Sequence, residues 1–513
     1  MGSDCDVLVV GGGCGGVAAA LSAAMLGRRV VLTEATGRLG GQLTTQAVPP
    51  DENAWVETFG STRSYRLMRS RVRDRYRADP RLSASARAVR ELNPGEGWVS
   101  ALCAEPVVVA EVLDELLAPL VRAGNLEIRY HHTPVGAATT GDRVDAVAFA
   151  SAEGVVSLSA SYVIDATEEG DVLPLAGCEH VLGSESADET GEPHALDGPA
   201  DPFDQQALTW CAALEWDPDG SHVVPRPDDY DFWRDYRAPF WPGPQLGWTT
   251  QEPETGEPLR RPLFGEGQDL WRFRRIRSGR LWDPPRPDVT LVNWPQIDYW
   301  LAPVTGVAPE ERAARLAQAR SLTLSFVHWL QTEAGYPGLR LAGEPLGTAD
   351  GLALAPYVRE SRRIRAEFTV LEQHVGVEAR AGIGQAEQFA DSVGVGCYRI
   401  DLHPSTGGRG YLDIACHPFQ IPLGALLPVR LENLLAGGKC LGVTHVTNGC
   451  YRLHPVEWNT GEAAGALAAF ALERGVPPRA VRARSSLFAD FQALLAKLGV
   501  PLEWPELVRG VVR

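Results

Sequence analysis

The chain has 513 residues, which at roughly 150 residues per domain gives two or three compact units and excludes a single small binding module. It is 44% hydrophobic and 22% charged, with 53 glycines and 38 prolines, a composition that folds and is neither disordered nor fibrous. Asp plus Glu number 65 against 48 Lys plus Arg, so the net charge of −17 repels a phosphate backbone and sets nucleic acid aside as a main partner.

The chain opens with an apolar run, Asp6 to Val10, that meets Gly11-x-Gly13-x-x-Gly16 and passes into an Ala- and Leu-rich stretch ending at Gly27. This reads as strand, tight turn and helix. Gly11 permits the turn, Gly13 lets backbone approach a pyrophosphate, with Cys14 beside it, and Gly16 lets the helix sit close to the strand. A second run from Arg29 to Thr33 ends at Glu34 and Ala35, where a carboxylate reaches the two hydroxyls of an adenosine ribose. The helix N-terminus supplies free N–H groups and positive potential for the phosphates. The pattern therefore predicts a dinucleotide on a parallel sheet.

Further along, Pro106 to Leu120 reads as helix, Leu126 to His131 as strand, and Gly136 to Ser161 alternates as a small β-meander. Tyr162 to Asp165 is a short strand running into Ala166-Thr167-Glu168-Glu169-Gly170-Asp171. Between Asp201 and Trp300 the composition changes, with nine of the 14 tryptophans and fourteen of the 38 prolines. That stretch reads as a separate lobe. Pro309 to Ala334 is a long amphipathic helix, Tyr398 to Leu402 and Asn433 to Ala436 are strands returning to the sheet, and Glu457 to Glu473 is a helix carrying Gly461-x-x-x-Gly465, read as packing against sheet or cofactor. The expected division is a cofactor domain at 1–200, a substrate lobe at 201–345, a return segment of the cofactor domain at 346–480 and a helical tail at 481–513.

Nine scattered cysteines without a C-x-x-C pair suggest reduced thiols and no metal site. Asp4 and Asp6 stand where a signal peptide needs basic residues, and no run of about 18 apolar residues suggests a membrane span. The expectation is a cytoplasmic protein. Lys439 and Lys497 are its two lysines, so Schiff-base chemistry has almost no candidates.

After the ribose acid comes Arg38-Leu39-Gly40-Gly41-Gln42, a Gly-Gly pair that resembles the flavoprotein pattern and so favours FAD over NAD. Together with Ile164-Asp165-Ala166-Thr167, YVRESRR at 357–363, ENLLAGGKCLGVTHVTNGCYRLHP at 432–455 and Gly461-Glu462-Ala463-Ala464-Gly465, the chain resembles bacterial FAD-dependent oxidoreductases of the glutathione-reductase-like superfamily. Its architecture is similar to that of the fumarate reductase flavoproteins. The resemblance implies an α/β fold: a Rossmann-type FAD-binding domain with parallel sheet and β-meander, plus the Trp/Pro-rich α+β lobe. It puts Val135 at the adenine, Ala166 and Thr167 beside the pyrophosphate, and Gly438, Gly461 and Ala464 toward the flavin. Glu462 stands where the family pattern often has Gln. Nothing local compels covalent attachment, so noncovalent FAD is expected. Gly382-x-Gly384 lacks the context of a second dinucleotide turn, which leaves oxygen or an external acceptor to reoxidise the flavin.

Flavin takes a hydride when a substrate is held over it and its proton is accepted. The densest set of suitable groups is His445, Asn448, Tyr451, Arg452 and His454. His445 is the candidate base or substrate hydrogen bond, and Arg452 the partner of an anionic group or of reduced flavin. Arg359, Glu360, Arg362 and Arg363, expected on a helix, orient an acid or form a structural ion-pair network. His403 is a further candidate, with Asp401 fixing its tautomer. Gln42 and Thr45, expected near the ring, are either hydrogen-bond partners of its N5 or O4 or ordinary loop polar groups. The lobe's Trp233, Phe240, Trp241, Trp248, Trp271, Trp294, Tyr299 and Trp300 form either an apolar wall for a bulky or aromatic substrate or simply a core. The leading reading is an FAD-dependent oxidase or dehydrogenase of a small organic metabolite. A flavin monooxygenase is the alternative within the class. A macromolecule-binding flavoprotein, tRNA-modifying or regulatory, is the alternative outside it, disfavoured by the acidic charge.

Overall fold

The computed structural model describes residues 3–512. The apolar run becomes strand β1 (Cys5–Val10), the glycine turn leads into helix α1 (Cys14–Met25), and strand β2 (Val30–Glu34) returns parallel to β1, with Val7 opposite Val30. A helix at Pro106–Arg122 precedes β3 (Leu126–Tyr130), which adds to β2 in parallel. The meander follows as β4 (Thr133–Thr140), β5 (Arg143–Ser151) and β6 (Gly154–Asp165). The first half of β6 pairs antiparallel with β5, while its second half lies between β1 and the returning strand Leu434–Ala436, both parallel to it. The parallel part therefore runs β3, β2, β1, β6 and the return strand, with β1 buried at its centre. This is the mixed α/β sheet of a Rossmann-type fold.

Close backbone approach fixes what covers the sheet. A Cβ on Gly16 would collide with the Gly11 carbonyl oxygen, and one on Gly15 with that of Gly437. The long helix His454–Arg474 crosses α1 at Gly461 and Gly465, where a Cβ would meet the carbonyls of Gly15 and Ala19. The small-residue spacing thus serves a helix crossing. The helix also starts earlier than its apolar pattern suggests, because Pro455 suits a first turn, where no backbone N–H is missed.

The lobe is built on a four-stranded antiparallel sheet in the order Arg275–Arg277, Val289–Val292, Ala212–Trp216, Leu339–Leu341. Helix Pro309–Thr332 buries Leu322, Phe326 and Leu330 into a core with Trp233, Trp271, Trp294 and Tyr299. Three short helices, Pro478–Ala483, Ser485–Leu498 and Glu506–Arg509, make up the tail.

Two elements differ from the sequence reading. Ile400–Leu402 does not join the sheet but pairs with Leu412–Ile414 in a separate hairpin, since the place beside β6 is taken by Leu434–Ala436. Arg359 to Arg363 is extended rather than helical, with Arg363–Ile364 paired to His180–Val181. In that conformation Arg359 donates to the Ala207 carbonyl and Arg363 to Glu185 and Glu360, partners that a single helix face would not reach together.

Replacing Gly461 by Ala forces two backbones apart and is expected to destabilise the fold by about 1–3 kcal/mol. Gly382→Ala, where a Cβ meets nothing within 4 Å, is expected to change stability by less than about 0.5 kcal/mol. Urea denaturation of the two variants checks the pair.

Candidate active site

The Gly11 turn opens onto a groove lined by Gly11, Gly13, Glu34, Ala35, Gly41, Thr45, Gln46, Ala166 and Thr167, together with Thr133, Pro134 and Val358. Gly11 has φ +96°, open to glycine and strained for other residues. The Glu34 carboxylate accepts from the Gly12 amide at 2.8 Å and from the Thr36 amide and hydroxyl, and burial raises its pKa. Opposite, buried Asp165 ties down the next turn by accepting from the Thr167 amide at 3.0 Å and hydroxyl at 2.7 Å and from the Val172 amide. Burial pushes its pKa up to about 7. Val135 stands 47% exposed on β4, next to the two groove residues Thr133 and Pro134. Arg38 turns away to donate to the carbonyls of Leu346 and Gly347. Cys14 is buried with its thiol pKa raised well above the ordinary value by burial, so it is no thiolate. Gly438 keeps open space, with 3.5 Å from a built Cβ to the nearest atom, a Glu457 oxygen.

The inner end of the groove is a charged cluster that motif reading passed over. Glu168 pairs with Lys439, which also donates to the Val358 carbonyl at 2.8 Å. Burial works against the Lys439 charge, but Glu168 and Glu457 hold its pKa above the ordinary value. Glu457, in the first turn of the long helix, accepts from the Gln42 side chain and the Gly15 amide. Burial, then Glu168 nearby, raises its pKa to about 7. His454 accepts from the Asp51 amide at 3.1 Å, and burial with the cations Arg274, Arg452 and Lys439 lowers its pKa to about 3, so it is neutral. Four buried polar atoms here have no partner within the protein: Gln42 Oε1, Gln46 Oε1, Glu168 Oε1 and His454 Nε2. Buried unsatisfied groups are costly, so this set fits a polar ligand.

Beyond Asp51 lies a second space, a cavity of about 420 Å³ lined by residues of the lobe and of the 397–413 hairpin region. His403 and Tyr411 stand on its wall. His403 Nδ1 is 2.5 Å from Asp298 Oδ2, and the Tyr411 hydroxyl is 2.8 Å from the same nitrogen. Asp298 is fully buried, and although burial opposes its charge, Arg359 and His403 lower its pKa. A carboxylate accepts only, so Nδ1 carries the proton and Nε2 is left as an acceptor. Burial and Arg359 lower the His403 pKa against the pull of Asp298 and Asp401.

His445, the expected base, does not line this cavity. It starts the helix His445–Tyr451, bonds Glu360 through Nδ1 at 2.9 Å and Arg409 through Nε2 at 3.0 Å, and lines an outer cleft rather than the cavity. His403 and Tyr411 line both spaces. Arg452 donates to the Tyr357 hydroxyl at 2.6 Å and to Asp401, and Asn448 to the Arg359 carbonyl, so both brace the wall. The lobe's aromatics are core: none of the eight lines the cavity, whose rings are Trp98, Phe273, Tyr398 and Tyr411. Asp298, 105 residues from His403, carried no sequence signal. Glu457 was findable as an acid in the first turn of the last helix.

A family model described as FAD dependent oxidoreductase matches residues 6–495. The chain belongs to this family. No curated protein matches it. Among solved structures it is similar to a geranylgeranyl bacteriochlorophyll reductase-like protein from Thermoplasma acidophilum, 12% identical over 96% of this chain and 83% of that one, TM-score 0.32. It is likewise similar to the anhydrotetracycline hydroxylase OxyS from Streptomyces rimosus, 12% identical over 96% and 66%, TM-score 0.34. The L-proline dehydrogenase from P. horikoshii is 17% identical over 35% of this chain, which spans 23% of that chain, with TM-score 0.18. No helix among the described residues is long and apolar enough to cross a membrane.

FAD is the cofactor of this oxidoreductase, and the groove fits it: glycine backbone at the α1 turn, an acid at the end of β2, and orphaned polar atoms at the inner end. Glu34→Ala is expected to weaken FAD binding by roughly 10- to 100-fold, the worth of hydrogen bonds to a charged group, checked by fluorescence titration of the stripped protein. Glu457 gives a pH signature. Its folded pKa of about 7 lies above its ordinary 4.5, so its contribution to stability is complete below the unfolded pKa and is lost as pH rises through the folded one. The denaturation midpoint is expected to fall from pH 5 to pH 8 by a step that Glu457→Gln makes smaller, measured in urea at both pH values.

Proposed function

We propose that this chain is an oxidase or dehydrogenase that removes a hydride and a proton from a small organic substrate bound in the 420 Å³ cavity, with His403 as the base. The observation that carries the reading is the His403–Asp298 pair on the cavity wall, neutral imidazole against ionised carboxylate. In this reading Glu34 would hold the ribose hydroxyls, the α1 N-terminus the pyrophosphate, and the side-chain amides of Gln42 and Gln46 the flavin. The positive end of helix His454–Arg474 favours negative charge gained there. The likeness to the glutathione-reductase-like superfamily, with fumarate reductase flavoproteins as architectural relatives, belongs to the same reading and rests on the glycine turn and Glu34.

FAD supplies a two-electron acceptor for the hydride. The substrate loses one C–H bond as hydride and a neighbouring O–H or N–H proton, leaving a C=O or C=N bond. His403 Nε2 takes the proton. Asp298 keeps Nδ1–H in place and offsets the positive charge of the ring. Because His403 also faces the outer cleft, the proton leaves to solvent without crossing the cavity again. A bound FAD would need oxygen or an external acceptor to be reoxidised.

Anaerobic mixing with a panel of alcohols, amines and hydroxy acids is expected to bleach the flavin with one of them alone; reduction only by a nicotinamide would turn the reading to a monooxygenase. With that substrate, His403→Gln is expected to slow flavin reduction by about 10²–10⁴-fold with FAD content unchanged. Protonated His403 cannot accept, so the wild-type rate falls as pH drops through a pKa below 6.5. His403→Gln lacks that limb, which stopped-flow reduction across pH reads directly.

A further inference from the structure

The cavity wall carries two guanidinium groups, Arg261 and Arg274, that lack a carboxylate within hydrogen-bond distance. Trp98 and Phe273 stack with centroids 4.3 Å apart and planes 27° off parallel. Arg261 lies over Trp98 at 5.9 Å, and Arg274 over Phe273 at 4.9 Å. The side chain of Arg274 is 11% exposed, its Nε and Nη1 are buried without an acceptor, and its nearest carboxylate oxygen, on Asp51, is 3.6 Å away, too far for a hydrogen bond. Arg261 forms no ion pair among the described residues.

The other charges on the wall are accounted for. Glu52 accepts from Arg69, Tyr65 and Ser100, Asp401 from Arg452, and Asp413 from Arg399. Arg399 also pairs with Glu254 at 3.1 Å and Glu252 lies near Arg261, which leaves Arg274 as the wall guanidinium with buried N–H groups that lack an acceptor, beside apolar surface from Val99, Leu259 and Leu270. A buried guanidinium without an acceptor is costly, and its planar fork matches a carboxylate.

We infer that the cavity takes a carboxylate-bearing molecule with an apolar body, its carboxylate received by Arg274, with Arg261 adding positive charge on the same wall, and its body laid beside the Trp98–Phe273 stack. This rests on the reading of the cavity as the substrate site and names the class of molecule that enters it. The arginines recognised in the sequence do not serve this end: Arg359, Arg363 and Arg452 all have carboxylate partners inside the protein.

The test is calorimetric titration of the FAD-loaded protein with benzoate, phenylacetate and hexanoate, and with benzamide as the neutral counterpart of benzoate. At least one carboxylate is expected to bind with a Kd in the low-millimolar range or tighter, with benzamide at least about tenfold weaker than benzoate. Arg274→Gln is expected to weaken carboxylate binding by roughly 10- to 100-fold without changing FAD content, and Arg274→Lys by less. Arg261→Gln, at a half-buried position, gives a second reading should Arg274→Gln not fold. Failure of all three carboxylates to bind, equal binding of benzamide, or binding indifferent to both arginines overturns the inference. Since the readout is heat of binding, these outcomes are separate from those of the reduction experiment: a neutral substrate that bleaches the flavin would sink the carboxylate and keep the hydride chemistry.

Discussion

The structure depends on backbone meeting backbone where no side chain is allowed. At Gly16 the first helix touches the turn that precedes it, at Gly15 it touches Gly437, and at Gly461 the last long helix touches Gly15 in turn. Each contact removes the space of a Cβ, and together they draw the first and last parts of the flavin domain to within a carbonyl of one another. The groove exists because of this. Glu34 and the α1 turn come from the beginning of the chain, Ala166 to Glu168 from the middle, and Lys439 and Glu457 from near its end, so no single segment holds enough of the site to bind by itself.

Much of this was legible in the sequence. The places of Gly11, Gly16 and Glu34 follow from spacing, because a tight turn, a close helix–strand approach and the end of the second strand each fall at a fixed offset. The meander was legible through alternation and the return strand through its apolar run. The catalytic side was less so. His445 stood in a dense polar motif and drew attention, yet its two nitrogens bond Glu360 and Arg409 facing an outer cleft. His403 looked like a lone strand-end histidine, and its standing changes only when Asp298, brought from the lobe, is seen against it. A pair made by tertiary packing leaves no trace in local spacing.

The tryptophans show the same limit from the other side. A concentration of aromatic residues is equally what a small lobe needs for its core and what a site needs for an apolar wall. Trp233, Trp271 and Trp294 went to the core because the lobe has one thin sheet and one long helix, and large rings fill the gap between them. The stacked pair that does face the cavity joins Phe273 to Trp98, a residue outside the lobe altogether. The cavity is thus a seam between two bodies, with polar groups supplied from both: Arg274, Asn293 and Gln296 from one, Asp51 and Asp401 from the other.

The lobe is inserted between β6 and the strand that completes the parallel sheet beside it. A chain emerging from the ribosome therefore presents Glu34 and the glycine turn long before Leu434–Ala436 and the helix that crosses α1 are made. Until then the exposed edge of β6 and the bare face of α1 lack their covers, so acquisition of the coenzyme belongs to the end of synthesis, and a truncated product would offer those surfaces to chaperones and proteases instead.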